Sequence, residues 1–376
     1  MSLTCISTAT ARAIKVGRAW RARYRNLSIG NMSSIVNLLL LLAIVTFYNS
    51  AALSNDRILL SNNGSILYYN SPAAVDDGVA VFAGWTSGTG EVEIAKVLKG
   101  SVVSKQTIHR YETPDDHGAP ALALLDNELL AALSHHSSDV FVYTVEKEEM
   151  ASQLICIIPG RFTYPRFVKT NEALILFVRS EFNDAGNLSA IFVTHHGCSA
   201  PKPVLTAIPN EWIYAAPPLF NGTNIWITWS IYSQKTFRHE GVFVTSLSQD
   251  LVPNNPVTIR PRRLSGCELI AWSLSSSQGK VSVRYIVFAG RMECCNKGSF
   301  ISFTSDLDGR VLKATPPQQM PYYPSISDIP PQCRSSATQF MSQSVENSKS
   351  FIFSELLSSR HGSKDFDSSV SLCGLD

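Results

Sequence analysis

Short apolar runs alternate with polar turns along the chain from about residue 56 onward. The runs are rich in Val, Ile, Phe, Tyr and Trp and are bounded by Gly, Asn, Asp or Ser. Such runs are typical of β-strands joined by turns, and no segment has the spacing of an amphipathic soluble helix. The pattern therefore predicts an all-β domain over residues 54–376.

One strand pattern recurs along this domain, in the segments VAVFAGW, ELLAALS, ALILFVR, NIWITWS, VSVRYIVF and SFIFSEL. A second strand follows most of them, and its copies begin at residues 92, 140, 190, 242 and 300, which are 48, 50, 52 and 58 residues apart. Radial stacking of small sheets buries faces that no single sheet could bury alone. The spacing predicts a β-propeller of about six or seven four-stranded blades. A two-sheet sandwich is the alternative, although it needs no regular period.

The start of the domain has a separate role in this scheme. The apolar segment RILLSNNGSILYY, which begins at Arg57, is expected to supply a strand that closes the ring against the last blade.

An apolar run over residues 35–53 precedes the domain and follows six Lys and Arg residues within a basic segment, residues 1–34. Its length lies between that of a cleaved signal peptide and that of a transmembrane anchor helix, and small residues at 50–52 suit a signal peptidase. We expect export to an extracellular, periplasmic or lumenal compartment, with any membrane contact confined to this helix. An organelle transit peptide, or a cytosolic protein with an apolar leader, is the alternative.

Charge and cysteine content limit which binding partners, disulfides and metal ions are expected. Net charge is +2, but the chain beyond residue 55 has 26 basic and 30 acidic residues, so nucleic acid is not an expected partner. A monomer is expected. Cysteines in an exported domain predict disulfides. The sequence does not decide whether a structural zinc or calcium ion binds. A zinc site could use Cys267, Cys294 and Cys295 with His239 or Cys333.

A polar or aromatic residue stands shortly before a proline in three consecutive repeats: His117-Gly-Ala-Pro120, Tyr164-Pro165 and Tyr214-Ala-Ala-Pro217. Tyr322 to Pro324 is a candidate fourth copy. About fourteen residues after each proline, one strand, a turn and the next strand return the chain to the same side. These positions are His135 or His136, Arg179 or Ser180, and Ser230 or Tyr232. Because inner strands of a propeller converge on its axis, these side chains are expected to share one channel mouth.

The chemistry of this set suits β-elimination from a uronic-acid glycan. Imidazoles at His117 and His135 or His136 titrate near neutral pH, and Tyr164 adds a phenol. Arg179 could pair with the substrate carboxylate and stabilise the enediolate, while a histidine or tyrosine removes the proton α to that carboxylate. A second His or Tyr would protonate the leaving oxygen. Tyr214, Ser230 and Tyr232 are expected to bind substrate, and Asp115 and Asp116 to orient His117.

The runs DDHGAPAL and SHH, followed by TYPRFV and LILFVRSE, resemble the BNR-repeat-containing propeller family that includes the ulvan lyases and related polysaccharide lyases. The resemblance implies a seven-bladed fold, an acidic polysaccharide substrate, and His, Tyr and Arg as catalytic groups. Gly118 departs from the family, in which Asn is common. Carried over residue by residue, the implied groups are His117 as first histidine, His136 or His135 as second, Tyr164 as catalytic tyrosine and Arg179 as the neutralising cation.

Two other functions compete with the lyase hypothesis. A non-catalytic propeller could bind glycans or proteins with a mouth lined by Trp212, Trp226, Trp229 and Trp272. A sialidase-like hydrolase would need an arginine triad, which the arginine spacing does not suggest, and the S-x-D-x-G-x-x-W turn typical of that superfamily is missing from the sequence. Each site residue also has a structural alternative: His117 could tie neighbouring blades together, and Arg179 with Glu181 could form an exposed ion pair of little consequence.

Overall fold

The structure is a computed structural model that describes residues 57–248, 250–262, 267–277, 280–289, 300–305, 311–314, 340–344, 346–347, 351–356 and 368–373. The chain divides into two compact units, residues 1–55 and 56–376, and all described residues lie in the second. Within them, regular structure is β-strand apart from one 3₁₀ turn, Asp116–Gly118. The predicted helix at 35–53 and the basic segment before it lie outside the described residues. Among the residues that are described, no helix is long and apolar enough to cross a membrane.

The strands follow one another in short hairpins. In chain order they are β1 (Arg57–Ser61), β2 (Gly64–Ser65), β3 (Ala74–Asp76), β4 (Val81–Ser87), β5 (Glu91–Leu98), β6 (Ser101–Arg110), β7 (Ala121–Leu125), β8 (Glu128–Ser134), β9 (Ser138–Val145), β10 (Ser152–Lys169), β11 (Leu174–Phe182), β12 (Ala185–Thr194), β13 (Gly197–Cys198), β14 (Lys202–Leu205), β15 (Glu211–Ala215), β16 (Leu219–Phe220), β17 (Ile225–Ser233), β18 (Arg238–Leu247), β19 (Val257–Arg260), β20 (Cys267–Ser277), β21 (Lys280–Ala289), β22 (Phe300–Ser305), β23 (Val311–Ala314), β24 (Phe340–Ser344), β25 (Phe351–Leu356) and β26 (Ser368–Cys373).

These strands form six antiparallel units with four strand positions each. Sheet 1 is β2 and β3 side by side on β4, then β5 and β6. Sheet 2 is β7, β8, β9 and the first half of β10, and sheet 3 is the second half of β10 with β11, β12 and the short β13 and β14. Sheet 4 is β15 and β16 on β17, then β18 and β19. Sheet 5 is β20 to β23, and sheet 6 is β24, β25, β26 and β1.

Sheets 2, 3 and 4 are hydrogen-bonded into one ladder of 13 strands. The 18-residue strand β10 is the outer strand of sheet 2 and then the inner strand of sheet 3. Sheets 3 and 4 meet at a single parallel bridge between Gly186 and Trp212. A Cβ at Gly186 would lie 2.9 Å from the Trp212 Cβ, so glycine permits this close approach.

Apolar side chains fill the spaces between successive sheets. Between sheets 1 and 2, for example, Phe82 and Ile94 pack with Leu122 and Leu129, all fully buried. Similar clusters join sheets 2 and 3, sheets 3 and 4, and sheets 4 and 5. The aliphatic and β-branched strands identified in the sequence supply these faces, because a strand in a stacked sheet buries both sides.

The N-terminal strand joins the last sheet to the first. Arg57–Leu59 pair with residues 371–373 of β26. Leu60 is buried with Val370 and Leu372 of β26 and with Val81 of sheet 1. The predicted closing strand is therefore present, but it ends at Ser61.

The rest of the predicted closing segment takes another path. Residues 64–71 are buried, and most of them lie outside any strand. Asn70 donates through Nδ2 to the backbone oxygens of His117, 2.7 Å, and Ala119, 2.6 Å, in the loop before sheet 2. The Ser71 backbone exchanges hydrogen bonds with the inner strand of sheet 3, and Tyr68 stacks on Trp272 of sheet 5 at 3.8 Å. This central segment, residues 66–73, thus links sheet 1 to sheets 2, 3 and 5.

Cysteine pairing is seen among the described residues. Cys156 of β10 and Cys198 of β13 form a disulfide, and Cys373 is also disulfide-bonded. The expectation of disulfides is therefore confirmed. Cys294, Cys295 and Cys333 of the hypothetical zinc site lie outside the described residues, as does the motif at Tyr322.

Candidate functional site

Breaks in the inner strands of four consecutive sheets bring four rings together. Tyr69 lies between β2 and β3, His117 before β7, Tyr164 within β10 and Tyr214 near the end of β15. Ring centroids are 5.2 Å apart for His117 and Tyr164, 5.5 Å for Tyr164 and Tyr214, and 4.9 Å for Tyr69 and Tyr164. The prediction that these repeats converge is thereby met for His117, Tyr164 and Tyr214.

Tyr164 occupies a bulge in β10. The register with β11 shifts between Thr163 and Arg166, and the backbone φ of Tyr164 is +61°. A bulky residue in this left-handed region carries strain that neighbouring contacts must support. Arg166 provides one such contact, since its Nη1 donates to the Tyr164 carbonyl oxygen at 3.1 Å. The bulge turns the phenol toward His117 instead of along the strand.

Two carboxylates hold His117. Its Nδ1 lies 2.6 Å from Oδ1 of Asp115 and 2.8 Å from Oδ1 of Asp116. Burial alone would lower the pKa of His117, but the hydrogen bonds and negative charges of the two acids raise it to about 9. Ligand atoms of these three residues lie within 4.8 Å of one another and could hold a cation, although His117 already serves the acids as a cationic partner.

The other ring nitrogen of His117 faces the phenol. Nε2 of His117 and the Tyr164 hydroxyl are 3.2 Å apart. Burial, followed by the neighbouring Tyr214, raises the pKa of Tyr164, so the phenol keeps its proton at neutral pH. A Cβ at Gly118 would lie 2.7 Å from the Tyr111 ring, so glycine permits this close contact.

The adjacent histidines of the β8–β9 turn face different surroundings. The His136 ring is 4.8 Å from that of His117, and burial together with the positive His117 and Arg179 lowers the His136 pKa. His135 instead contacts the Tyr111 ring at 4.9 Å and lines a separate cleft of about 290 Å³ with His109 and Phe141. Of the two candidates for second histidine, His136 is the one beside His117.

Arg179 reaches the same cluster, but it lies beneath the aromatic rings. Its side chain is 0% exposed, and its guanidinium lies 4.5 Å from the Tyr164 ring, 4.8 Å from Trp212 and 4.9 Å from Tyr214. Nη2 donates to Oε1 of Glu181 at 3.2 Å. The alternative of an exposed Arg179–Glu181 pair is wrong, because β11 places the Arg179 side chain against buried aromatic side chains.

The three expected substrate-binding residues lie on one side of this cluster. Tyr214 and Tyr232 have ring centroids 6.0 Å apart, and both contact the His239 ring. Ser230 is fully buried, with Oγ 3.4 Å from Nδ1 of His239. Burial and the nearby Arg179 lower the pKa of His239 to about 3, so this imidazole is neutral. Ser230 therefore supports the site from below, whereas Tyr214 and Tyr232 are partly accessible.

Sequence reasoning missed four members of the site: Tyr69, Arg166, Trp212 in its contact with Arg179, and Glu181 as a buried partner. A signal for Tyr69 was present, because Tyr69-Asn-Ser-Pro72 repeats the spacing of His117-Gly-Ala-Pro120 and Tyr214-Ala-Ala-Pro217. No comparable signal existed for Arg166, whose importance arises from the bulge.

No protein-family model and no curated protein matches this chain. Among solved structures, a PL25 ulvan lyase bound to -[GlcA(1-4)Rha3S]- is similar with a TM-score of 0.58 and 11% identity, over 79% of this chain and 80% of that one. A second structure of a PL25 ulvan lyase gives a TM-score of 0.56 and 10% identity, covering 80% of each chain. An α-L-arabinofuranosidase from Fusarium graminearum gives 0.49 and 12%, over 85% and 98%. At these identities the two ulvan lyases show the fold alone, which is that of a β-propeller.

Proposed function

We propose that this protein is an exported β-propeller that binds an acidic polysaccharide and cleaves it by β-elimination. The observation that carries the proposal is the meeting of His117, His136 and Tyr164, with His117 3.2 Å from the Tyr164 hydroxyl and 4.8 Å, ring to ring, from His136. The similar ulvan lyase is bound to a glucuronate-containing oligosaccharide, which supports the substrate class. The disulfide between Cys156 and Cys198 supports an oxidising compartment.

We also propose that the propeller has six blades. Each of the six described sheets forms one blade, and β1 completes the sixth. The resemblance to ulvan lyases implied seven blades. The six recurring strand patterns of the sequence correspond instead to β4, β8, β11, β17, β21 and β25, one in each sheet.

The protonation state of each residue determines its role in the proposed reaction. His117 has a pKa of about 9 and is a cation at neutral pH, so its Nε2 carries a proton that faces the Tyr164 hydroxyl. His136 has a lowered pKa and an exposed ring, so it can accept the proton α to that carboxylate. The electrons of the broken C–H bond form the carbon–carbon double bond as the glycosidic C–O bond breaks. The leaving oxygen takes its proton from Tyr164, and His117 can reprotonate that phenol.

In this scheme Arg179 acts on the substrate through its electrostatic field. Its guanidinium is covered by three aromatic rings, so its charge favours the enediolate without touching the carboxylate. This differs from the direct pairing with the substrate carboxylate that the sequence suggested.

A non-catalytic glycan-binding propeller is the second candidate, and one observation favours it. Tyr164 is only 4% exposed, and a general acid must reach the leaving oxygen. In that case the partly accessible Tyr214 and Tyr232 would bind sugar rings while the cluster beneath them serves stability.

The deciding experiment incubates the full chain with ulvan, alginate and glycosaminoglycans and follows the ultraviolet absorbance of an unsaturated uronate. Tyr164→Phe should lower kcat by about a hundredfold or more. Tyr143→Phe is the matched control, because its hydroxyl also contacts a histidine, His109 Nδ1 at 2.9 Å, outside the site. It should retain activity. Glycan binding without the absorbance band would support the second candidate, and new reducing ends without unsaturation would indicate a hydrolase.

A further inference from the structure

A chain of hydrogen bonds joins His136 to a buried carboxylate in the next sheet. Strand β8 ends at Ser134, and the turn carries His136 and Ser137 before β9 begins. Ser137 has a φ of +54°, and its backbone N–H donates to Oγ1 of Thr163 in sheet 3 at 3.1 Å. This contact holds the turn of sheet 2 against sheet 3 and brings the Ser137 hydroxyl to Glu181.

Glu181 is the centre of the chain. Its side chain is 7% exposed, and Oε1 accepts from Ser137 Oγ at 2.7 Å and from Arg179 Nη2 at 3.2 Å. Oε2 accepts from Arg161 Nη2 at 2.9 Å. Both oxygens of the carboxylate are therefore used as acceptors, as expected for an ionised acid beside two guanidinium groups.

The direction of these bonds fixes the tautomer of His136. A serine hydroxyl has one hydrogen, and Ser137 gives it to Glu181, which can only accept. Nδ1 of His136 lies 3.2 Å from the same Oγ, so Nδ1 must be the donor in that contact. The proton of the neutral ring then resides on Nδ1, and Nε2 has a free lone pair.

We propose that Glu181 is a positioning residue that, through Ser137, selects the Nδ1–H tautomer of His136 and at the same time anchors Arg179. The general base and the cation that favours the enediolate are thereby set by one carboxylate. This role rests on the proposed lyase function for its benefit, but the tautomer itself does not depend on catalysis.

The spectroscopic test uses the full chain with ¹⁵N-labelled histidine, measured by NMR at a pH where His136 is neutral and assigned with His136→Gln. Wild type should show the Nδ1–H tautomer for His136. Ser137→Ala should give a mixture with the Nε2–H form, and Glu181→Gln should move the same signals. Thr236→Ala is the matched control. Its hydroxyl also donates to a glutamate, Glu240 at 2.6 Å, but this hydrogen bond lies in another hairpin and does not continue to a histidine. It should leave His136 unchanged.

A kinetic arm separates this proposal from the lyase function. If wild type cleaves a glycan, Ser137→Ala should lower kcat about tenfold with KM nearly unchanged, because it disturbs the base and not the binding residues. An absence of cleavage on every substrate would reject the lyase function while the NMR result still tested the tautomer. A His136 ring that is Nε2–H in wild type, or that keeps Nδ1–H in a folded Ser137→Ala, would overturn the proposal.

Discussion

His117 and His239 take opposite charge states within one site because their nearest polar neighbours differ. Two carboxylates contact Nδ1 of His117 and raise its pKa to about 9. Burial and the positive Arg179 lower the pKa of His239 to about 3, and its Nδ1 lies 3.4 Å from the hydroxyl of Ser230. At neutral pH the imidazole of His117 is therefore cationic and that of His239 neutral, although the two side chains have the same intrinsic chemistry.

His239 should make the protein sensitive to acid. Its folded pKa lies below the unfolded value near 6.5, so as pH falls below about 6.5 the unfolded state gains a proton that the folded state refuses. The free energy of unfolding should fall by about 1.4 kcal/mol per pH unit from this group until pH nears its folded pKa. Denaturant unfolding at pH 7.5, 6, 5 and 4 measures the slope.

His239→Gln should remove this part of the acid dependence. His196→Gln, at an exposed histidine in the turn before β13, should keep the wild-type slope. Equal slopes in wild type and His239→Gln would contradict the assignment.

Local sequence was enough to predict the acids beside His117, because Asp115 and Asp116 are its chain neighbours. It could not predict the state of His239 or the burial of Arg179. Arg179 of sheet 3 is covered by Trp212 and Tyr214 of sheet 4, and the charge of Arg179 in turn helps to keep His239 of sheet 4 neutral, so both properties are set only when sheets 3 and 4 meet.

Hairpins form the regular part of each sheet, and an irregular inner strand forms the site. The strand-turn-strand units predicted after Pro120, Pro165 and Pro217 are present as β7–β8, β10–β11 and β16–β17. Period and turn residues are local properties, so sequence predicts them. The bulge at Tyr164 was not predictable, because its left-handed backbone is supported by Arg166 and by the neighbouring rings.

The disulfide between Cys156 and Cys198 should stabilise the outer edges of sheets 2 and 3. It joins β10 to β13 across 42 residues of chain, so it restricts the unfolded state. The double variant Cys156→Ala/Cys198→Ala should lose about 2–4 kcal/mol of unfolding free energy. Denaturant unfolding measures the loss. Reductant should destabilise wild type by more than the double variant; an equal effect would mean that the bond between Cys156 and Cys198 adds no stability.

Closure of the molecule depends on a strand from the opposite end of the chain. β1 completes sheet 6 and packs Leu60 against sheet 1, so the first and last sheets share one cluster. The sequence allowed this closing strand to be predicted because an apolar segment preceded the first repeat. It did not reveal that residues 66–73 would leave the sheet and cross to other sheets, because the repeated spacing of Tyr69-Asn-Ser-Pro72 marks a position before a proline and not the path of the chain.

Neighbouring leucines in β1 allow a test of closure. Leu60 is 8% exposed and Leu59 is 56% exposed. Leu60→Asp should cost about 3 kcal/mol or more, because it places a charge without a partner in the cluster. Leu59→Asp should change stability by about 0.5 kcal/mol or less. Urea unfolding measures both variants, and a similar loss in the two would show that β1 does not seal the first sheet to the last.

Residues 66–73 are largely buried in contact with sheets 2, 3 and 5, and this limits how a long polymer could bind. Under the proposed function, the buried Tyr68, Tyr69 and Ser71 would prevent a glycan from threading lengthwise, and the glycan would lie across His136 and Tyr214. A glycan bound in that manner does not have to enter the site by one of its ends. Cuts would then fall at interior linkages, and viscosity of the polymer solution would drop early, before many small fragments accumulate.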